Sequence, residues 1–148
     1  MSATGEQGSL LYNTPHGRWA VHSTWRNAKQ MLRLNRGGPI CYLHPDEMIK
    51  RDLVDDDWVR LFNNHGQVIV RVKEMESEKT GRVTMYHSWE RYVGVKGQMA
   101  NFNSVTGIRI KPTQLAGGYG QLHFALNYWG PTGVQRDTRV EVEKYIEP

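Results

Sequence analysis

The chain has 148 residues and a mass of 17.1 kDa, which is the usual size of one domain built on one hydrophobic core. Its single cysteine, Cys41, excludes an internal disulfide and any zinc or iron–sulfur site made only of cysteines from this chain. The 19 basic and 15 acidic residues give a net charge of +4 and a pI near 9.3, a balance that suits a polyanionic partner.

The beginning of the chain predicts a tail followed by a helix. Residues 1–13 are small and polar, and they predict a flexible tail, a linker or added residues, with the folded domain over residues 14–148. These first residues lack the charged and then apolar pattern of a signal peptide. Ser23 or Thr24 is expected to cap a helix that runs through about Leu34.

Alternating apolar and polar residues predict several short strands in the rest of the chain. The predicted strands are residues 39–43, 59–61, 68–73, 82–87, 107–112 and 138–145. Pro45 and Glu47 belong to a predicted helix of one to two turns, because proline fits the first turn and the helix dipole favours negative charge there. The segments "NNHG" and "EKTG" predict turns, the first with positive φ at asparagine and glycine. Short strands joined by turns predict a mainly β fold that closes into a barrel with short helices.

The segment "TPHGRWAVHSTW", residues 14–25, gathers hydrogen-bonding side chains close together. His16 and His22 are six positions apart, so both imidazoles point to the same side of an extended segment. They can form a metal pair, but no third ligand lies nearby in the sequence, and no metal site is predicted. A row of donors suits phosphate oxygens instead. Its members are His16, Arg18, His22, Ser23 and Thr24. The alternative is that these residues have ordinary capping and surface roles.

The late part of the chain is rich in glycine and aromatic residues. "GGYG" at 117–120 is not followed by the lysine of a phosphate-binding loop, so its glycines indicate close approach of the backbone to a strand or a ligand. Asn127 and Tyr128 offer an amide and a flat face that can read a purine edge, or they end a strand on the core. Arg136 and Asp137 precede the last predicted strand, where they either read a guanine edge or form a structural pair.

Six segments of the sequence match motifs of one enzyme family, both in their residues and in their order along the chain. They are "TPHGRWAVHSTW", "LNRGGPICYLHPDEM", "DDDWVRLFNNHGQV", "GRVTMYHSWERY", "NSVTGIRIKPTQLAGGYG" and "NYWGPTGVQRDT". On these segments, the chain from about residue 14 to 145 resembles the C-terminal domain of the catalytic alpha subunit of dimethyl-sulfoxide-reductase-family molybdenum oxidoreductases, in the nitrate reductase and nitrite oxidoreductase branch. The resemblance implies a six-stranded double-psi β-barrel over residues 14–148 that binds a bis-molybdopterin guanine dinucleotide cofactor with molybdenum.

The resemblance, together with the donor row, also implies which residues bind the cofactor. They are His16, Arg18, His22, Ser23, Thr24, His87, Asn103, Asn127, Tyr128 and Arg136. His22 and His87 are the main expected pterin partners. No catalytic residue and no turnover are expected from the isolated chain, because the metal ligand and the iron–sulfur cysteines of the family belong to earlier domains.

The partners that the resemblance implies are the N-terminal domains of the same catalytic subunit and the iron–sulfur beta subunit of the parent complex. No direct contact with nucleic acid or membrane is expected, although the parent enzyme is expected to be associated with a membrane, on its cytoplasmic or periplasmic face. Two other functions stay open. One is a small basic β-barrel that binds nucleic acid through Arg33, Arg36 and exposed aromatic rings, and the other is a standalone hydrolase.

Overall fold

The computed structural model describes residues 8–19, 21–25, 28–87, 89, 104–106 and 138–146. Within them the chain forms six strands and two short helices. The strands are β1 (Leu10–Asn13), β2 (Ile40–Leu43), β3 (Trp58–Phe62), β4 (Gln67–Glu74), β5 (Arg82–Met85) and β6 (Arg139–Lys144), and the helices are α1 (Lys29–Leu34) and α2 (Pro45–Ile49). Neither described helix has the length and apolar character that crossing a membrane requires.

The six strands close into a barrel in the order β1-β5-β2-β4-β3-β6. β1 runs parallel to β5, and β2 runs parallel to β4, whereas the other four neighbouring pairs are antiparallel. The register pairs Tyr12 with Val83 and Cys41 with Val72. Closure gives each of the six described strands two hydrogen-bonded neighbours, so none of these strands has an open edge. The mainly β closed barrel predicted from the alternation and the six strands implied by the resemblance are confirmed.

Inward-facing side chains fill the barrel. Val68, Val70 and Val72 of β4 alternate with residues of the other face, as the period of two in the sequence predicted. The buried apolar side chains contributed by the strands include Leu10, Tyr12, Cys41, Leu43, Val59, Leu61, Val68, Val70, Val72, Val83, Met85, Val140 and Val142. Most are β-branched or leucine, which pack well on a pleated surface. The core therefore lies inside the barrel, and both helices lie outside it.

The first strand corrects the expectation of a flexible tail through residue 13. Leu10–Asn13 form β1, in which Leu10 and Tyr12 are buried. This strand pairs with β5 on one side and β6 on the other, and thereby closes the barrel. A strand of only four residues is too short for a clear alternation of apolar and polar residues, and its partners lie far along the chain, so it is hard to predict from the local sequence. Residues 1–7 lie outside the described part of the chain.

The helix predicted after Ser23 or Thr24 starts later than expected. α1 begins at Lys29, with Ala28 at the capping position and no side-chain hydrogen bond to the cap. The reason lies in the preceding backbone, because φ is 49° at His22 and 58° at Trp25. A right-handed helix cannot run through left-handed residues. The predicted capping role of Ser23 and Thr24 is therefore wrong, whereas the predicted end near Leu34 is confirmed.

The hairpin at "NNHG" forms as predicted, but by another mechanism. None of residues 63–66 has a positive φ. Instead Asn63 Oδ1 accepts hydrogen bonds from the amides of His65 and Gly66, at 2.9 and 3.3 Å, which is an asparagine-supported turn. Gly66 is required for space, because a Cβ at this position would collide with the Ser104 carbonyl oxygen.

The other predicted elements of the described residues agree with the structure. β2, α2, β3, β4, β5 and β6 occur where alternation, proline and turn residues placed them. His44 caps α2, since its Nδ1 accepts from the Asp46 amide at 3.1 Å. The strand predicted at 107–112 and the "GGYG" segment at 117–120 lie outside the described residues.

Candidate functional site

The parallel pairing of β1 and β5 brings together the two segments that follow these strands. Because both strands run in the same direction, their carboxyl ends lie at the same end of the barrel. Asn13 Nδ2 donates to Thr84 Oγ1 over 3.2 Å. Beyond the strands the pairing continues, since the His87 amide donates to the Pro15 carbonyl over 3.1 Å. This register places His16 beside His87, with ring centroids 4.2 Å apart.

Three imidazoles meet at this end of the barrel, and we call His16, His22 and His87 the histidine cluster. The His22 ring centroid is 5.2 Å from each of the other two. Its Nδ1 lies 3.2 Å from His87 Nε2, which is hydrogen-bond distance. One ring nitrogen from each histidine lies within 4.8 Å of the other two. His16 and His22 are exposed and His87 is half-buried, so the cluster is open to a ligand from outside.

A turn folds His22 back onto the strand ends. The left-handed backbone at His22 and Trp25 reverses the chain, and the Thr24 amide donates to the Val21 carbonyl over 3.0 Å. Ser23 and Thr24 are exposed residues of this turn. Left-handed φ costs free energy for residues with a Cβ. The turn therefore holds an imidazole and two hydroxyls at the barrel end at the expense of local backbone strain.

A pocket of about 200 Å³ is built from the same segments, and we call it the arginine–tyrosine pocket. Its described lining contains two guanidinium groups and several aromatic rings, and no carboxylate. The lining residues are Arg18, Trp19, Leu34, Asn35, Arg36, Gly38, Ile40, Tyr42, Tyr86 and Trp89. Arg18 stands between two members of the histidine cluster in the sequence, and Tyr86 directly precedes the third. The pocket is thus positive, aromatic and continuous in sequence with the cluster.

The aromatic rings of the pocket are held in fixed relations. Arg18 Cζ lies 4.9 Å from the centroid of the Trp19 ring, a cation–π contact. Tyr42 and Tyr86 meet edge to face, with centroids 5.6 Å apart. Burial raises the pKa of the Tyr42 hydroxyl, and the positive charge of Arg36 offsets this only in part. Tyr42 is therefore a neutral phenol at physiological pH and can donate a hydrogen bond.

The structure brings together most of the predicted site residues that it describes. His16, His22 and His87 form the cluster, with Ser23 and Thr24 in its turn. Arg18 belongs to the adjoining pocket. The predicted site residues outside the described part of the chain are Asn103, Asn127, Tyr128 and Arg136.

Sequence reasoning missed several residues of the pocket. Tyr42, Tyr86 and Trp89 have no role predicted from the sequence, and Arg36 has one only in the nucleic-acid alternative. A tyrosine on β2 and a tyrosine just after β5 carry no local signal of a shared pocket. Pairing of β2 with β5 is what unites them, since Tyr42 lies opposite Thr84 in that register.

Comparison with known proteins identifies the family. A sequence model described as "Molydopterin dinucleotide binding domain" matches residues 10–122. This range covers more than half of the chain, and it starts at the first residue of β1. The chain belongs to this family. It is therefore a molybdopterin dinucleotide-binding domain, and the family expected from the six sequence segments is confirmed.

Several alpha subunits of reductases are similar to this domain. The respiratory nitrate reductase subunit alpha of Haloferax mediterranei is 46% identical over 145 residues, which are 95% of this chain and 14% of that protein. The perchlorate reductase subunit alpha of Dechloromonas aromatica is 44% identical over 136 residues, 91% of this chain and 14% of that protein. The nitrate reductase alpha chain of Bacillus subtilis is 40% identical over 149 residues, 97% of this chain and 12% of that protein. The chain thus spans a small part of the length of these relatives.

A solved structure shares the fold. Acetylene hydratase from Pelobacter acetylenicus superposes with a TM-score of 0.53, and the match covers 64% of this chain and 14% of that chain. The sequences are 15% identical over this match, so the likeness concerns the fold alone.

The described residues fit a molybdopterin dinucleotide chemically. Such a molecule carries a pyrophosphate, whose oxygens accept hydrogen bonds and prefer guanidinium partners. It also carries flat heterocycles with nitrogen and oxygen atoms at their edges. The arginine–tyrosine pocket offers two guanidinium groups and aromatic faces, and the histidine cluster offers imidazole nitrogens that donate or accept. No carboxylate in the described lining opposes an anion.

Proposed function

We propose that this domain holds and orients a bis-molybdopterin guanine dinucleotide in the alpha subunit of a nitrate reductase-type molybdenum oxidoreductase. The observation that carries the proposal is the convergence of three imidazoles and two guanidinium groups on adjoining segments of the barrel end. Membership of a dinucleotide-binding family supports it, and so do relatives of the nitrate and perchlorate reductase type. When bound, the cofactor supplies redox chemistry at molybdenum.

The chain's own residues then have distinct binding roles. Arg18 and Arg36 would bind pyrophosphate oxygens, since both guanidinium groups line one pocket. His22 and His87 would hydrogen-bond the pterin edge, because their imidazoles lie together at the barrel end and imidazole nitrogens can donate or accept. The phenol of Tyr42 would donate a further hydrogen bond. Such contacts fix the cofactor's orientation and exclude water from it.

The remaining predicted residues complete the proposal. His16 would join the imidazole pair, and the Ser23 and Thr24 hydroxyls would extend the row of donors for phosphate oxygens. Four further cofactor contacts are proposed from the resemblance of their motifs. They are Asn103, Asn127, Tyr128 and Arg136.

The proposed partners follow from the lengths of the relatives. Because the chain matches 12–14% of the length of these alpha subunits, we propose that other domains of the same subunit cover the cofactor from the opposite side. An iron–sulfur beta subunit is the proposed electron-transfer partner of that assembly. The exposed rings of Trp19 and Trp25 beside the cluster suit contact with such domains, since large exposed aromatic side chains are common at interfaces.

Nucleotide binding by the isolated chain tests the proposal. GDP carries guanine and a pyrophosphate, and its binding is measured by quenching of tryptophan fluorescence, because Trp19 and Trp89 line the pocket. We expect saturable binding of GDP with a preference over ADP. Arg18→Ala and His22→Ala should each weaken binding by roughly tenfold, as expected when a charged or strong hydrogen bond is lost. In a full-length alpha subunit, His22→Ala should also lower molybdenum content.

Arg33→Ala is the matched control, because Arg33 lies exposed on α1 and does not line the pocket. It removes the same charge and should leave GDP binding unchanged. The nucleic-acid alternative makes the opposite prediction, namely that an oligonucleotide binds with steep salt dependence and that Arg33→Ala weakens it. Absence of GDP binding, or equal weakening by Arg33→Ala and Arg18→Ala, would contradict the proposal.

A further inference from the structure

We propose that the histidine cluster is a binding site for a divalent transition-metal ion, with Zn²⁺ as the ion whose tetrahedral geometry it fits, when no cofactor covers it. The sequence alone offered His16 and His22 without a third ligand nearby. The parallel pairing of β1 with β5 supplies that ligand, because it brings His87 from the end of β5 to the same place. The site is formed by this chain alone, so the inference does not depend on the proposed cofactor.

The distances within the cluster suit a tetrahedral ion. Zn²⁺ binds imidazole nitrogen at about 2.0–2.1 Å, which places two nitrogens of one tetrahedron roughly 3.4 Å apart. His22 Nδ1 and His87 Nε2 are already 3.2 Å apart. All three ligand nitrogens lie within 4.8 Å of one another, so the widest separation must shrink by about 1.4 Å.

The exposure of the cluster makes this adjustment inexpensive. His16 and His22 are exposed, so their rings can rotate without repacking the core. His87 is half-buried and anchored by its amide to the Pro15 carbonyl, so it serves as the fixed ligand. A metal ion would replace the hydrogen-bond contact between two imidazoles by coordination of both. The open side of the cluster leaves a fourth position for water, as in sites with three protein ligands.

The ligand type selects the metal. Three imidazoles without a carboxylate suit Zn²⁺, Ni²⁺ or Cu²⁺, whereas Mg²⁺ and Ca²⁺ require oxygen ligands. Zn²⁺ accepts tetrahedral coordination without a geometric preference of its own, and three histidines leaving one open position match that geometry. Among the described residues, this is the group of three such side chains close enough to bind one ion.

Zinc titration of the metal-free chain tests the inference. After treatment with a chelator and its removal, Zn²⁺ binding is measured by calorimetry, and Co²⁺ serves as a spectroscopic probe of tetrahedral coordination. We expect one Zn²⁺ per chain, and no binding of Mg²⁺ in the same range. His16→Gln, His22→Gln and His87→Gln should each weaken binding by roughly tenfold or more, since loss of even a supporting partner of a ligand costs that much.

His65→Gln is the matched control, because His65 is an exposed histidine in the turn between β3 and β4, outside the cluster. It should bind Zn²⁺ as tightly as the wild-type chain. Thermal unfolding without metal shows whether each variant is folded, and the exposed positions His16 and His22 keep the test valid if His87→Gln fails to fold. No saturable binding of Zn²⁺, wild-type affinity in His16→Gln and His22→Gln, or equal weakening in His65→Gln would overturn the inference.

Discussion

Substitution of Glu47 by glutamine tests how much the contacts between α2 and the barrel strands stabilise the fold. Glu47 is 5% exposed and accepts hydrogen bonds from three groups. Lys50 Nζ lies 2.9 Å and the Gly81 amide 3.1 Å from Oε1, and Arg51 Nη1 lies 2.6 Å from Oε2. Arg51 also binds Glu141 of β6, with 2.8 Å between Nη2 and Oε1. One buried carboxylate thus links α2 to the start of β5 and, through Arg51, to β6.

Glu47→Gln keeps the size of the side chain and removes its charge. Arg51 is then left half-paired in a position where 13% of its side chain is exposed. Breaking a buried ion pair costs about 3–5 kcal/mol, and loss of a hydrogen bond to a charged group costs about 1.5–3 kcal/mol. Because Glu141 still partners Arg51, we expect the free energy of unfolding at pH 7 to fall by about 2–4 kcal/mol, as measured by urea denaturation.

The pH dependence provides a second readout of the same group. The hydrogen bond from Lys50 is the largest cause that lowers the pKa of Glu47 from 4.5 to about 2, and the bond from Arg51 contributes further. A carboxyl whose pKa is lower in the folded state stabilises the protein above its unfolded pKa. That contribution, up to about 3 kcal/mol, is lost as the pH falls from 4.5 towards 2. The stability difference between wild type and Glu47→Gln should therefore shrink over this interval.

Glu143→Gln is the control for this prediction. Glu143 of β6 pairs with Arg60, and 47% of its side chain is exposed, so its loss should cost no more than about 1 kcal/mol. Equal destabilisation by both variants at pH 7 would refute the reasoning from burial. A difference between wild type and Glu47→Gln that stays constant from pH 5 to pH 2 would refute the assignment of the lowered pKa.

Two further predictions concern the barrel itself. Cys41 is fully buried, and burial raises the pKa of its thiol. A thiol reagent should therefore modify Cys41 in urea but not in the folded chain. Fast modification without denaturant would contradict the packing of β2. Gly66→Ala places a Cβ against the Ser104 carbonyl oxygen. It should lower the free energy of unfolding, measured by urea titration, by about 1–3 kcal/mol. An unchanged urea midpoint would contradict the close approach of Gly66 to Ser104.

The strands were predictable where the barrel interior imposes a period of two. Val68, Val70 and Val72 show this most clearly, since their alternation follows from one face packing on the core. β1 escaped prediction because its short run follows a polar segment and its stability comes from β5 and β6, far along the chain. The predicted start of α1 was wrong because Ser23 and Thr24, whose hydroxyls favour capping, lie in a turn with left-handed backbone at His22 and Trp25.

The site was only partly predictable for a related reason. His16 and His22 share one segment, so their spacing could be read directly. His87 was expected from the resemblance to a family, because no local rule links it to residues so far away. The register of β1 against β5 is the physical link, and it depends on the whole barrel. Tyr42 and Tyr86 were missed for the same reason, since they meet across the pairing of β2 with β5.

The two proposals for the barrel end predict that metal and cofactor compete for the same histidines. A nitrogen that coordinates Zn²⁺ cannot at the same time hydrogen-bond a pterin through the same lone pair, and both proposals use His22 and His87. If both proposals hold, metal and cofactor exclude each other at the histidine cluster, whereas Arg18 and Arg36, which line the pocket, would serve only the anionic ligand. An ion bound to two exposed imidazoles and one half-buried imidazole would consequently have to leave before the cofactor binds. Zinc would therefore slow cofactor loading without altering the barrel that receives the cofactor.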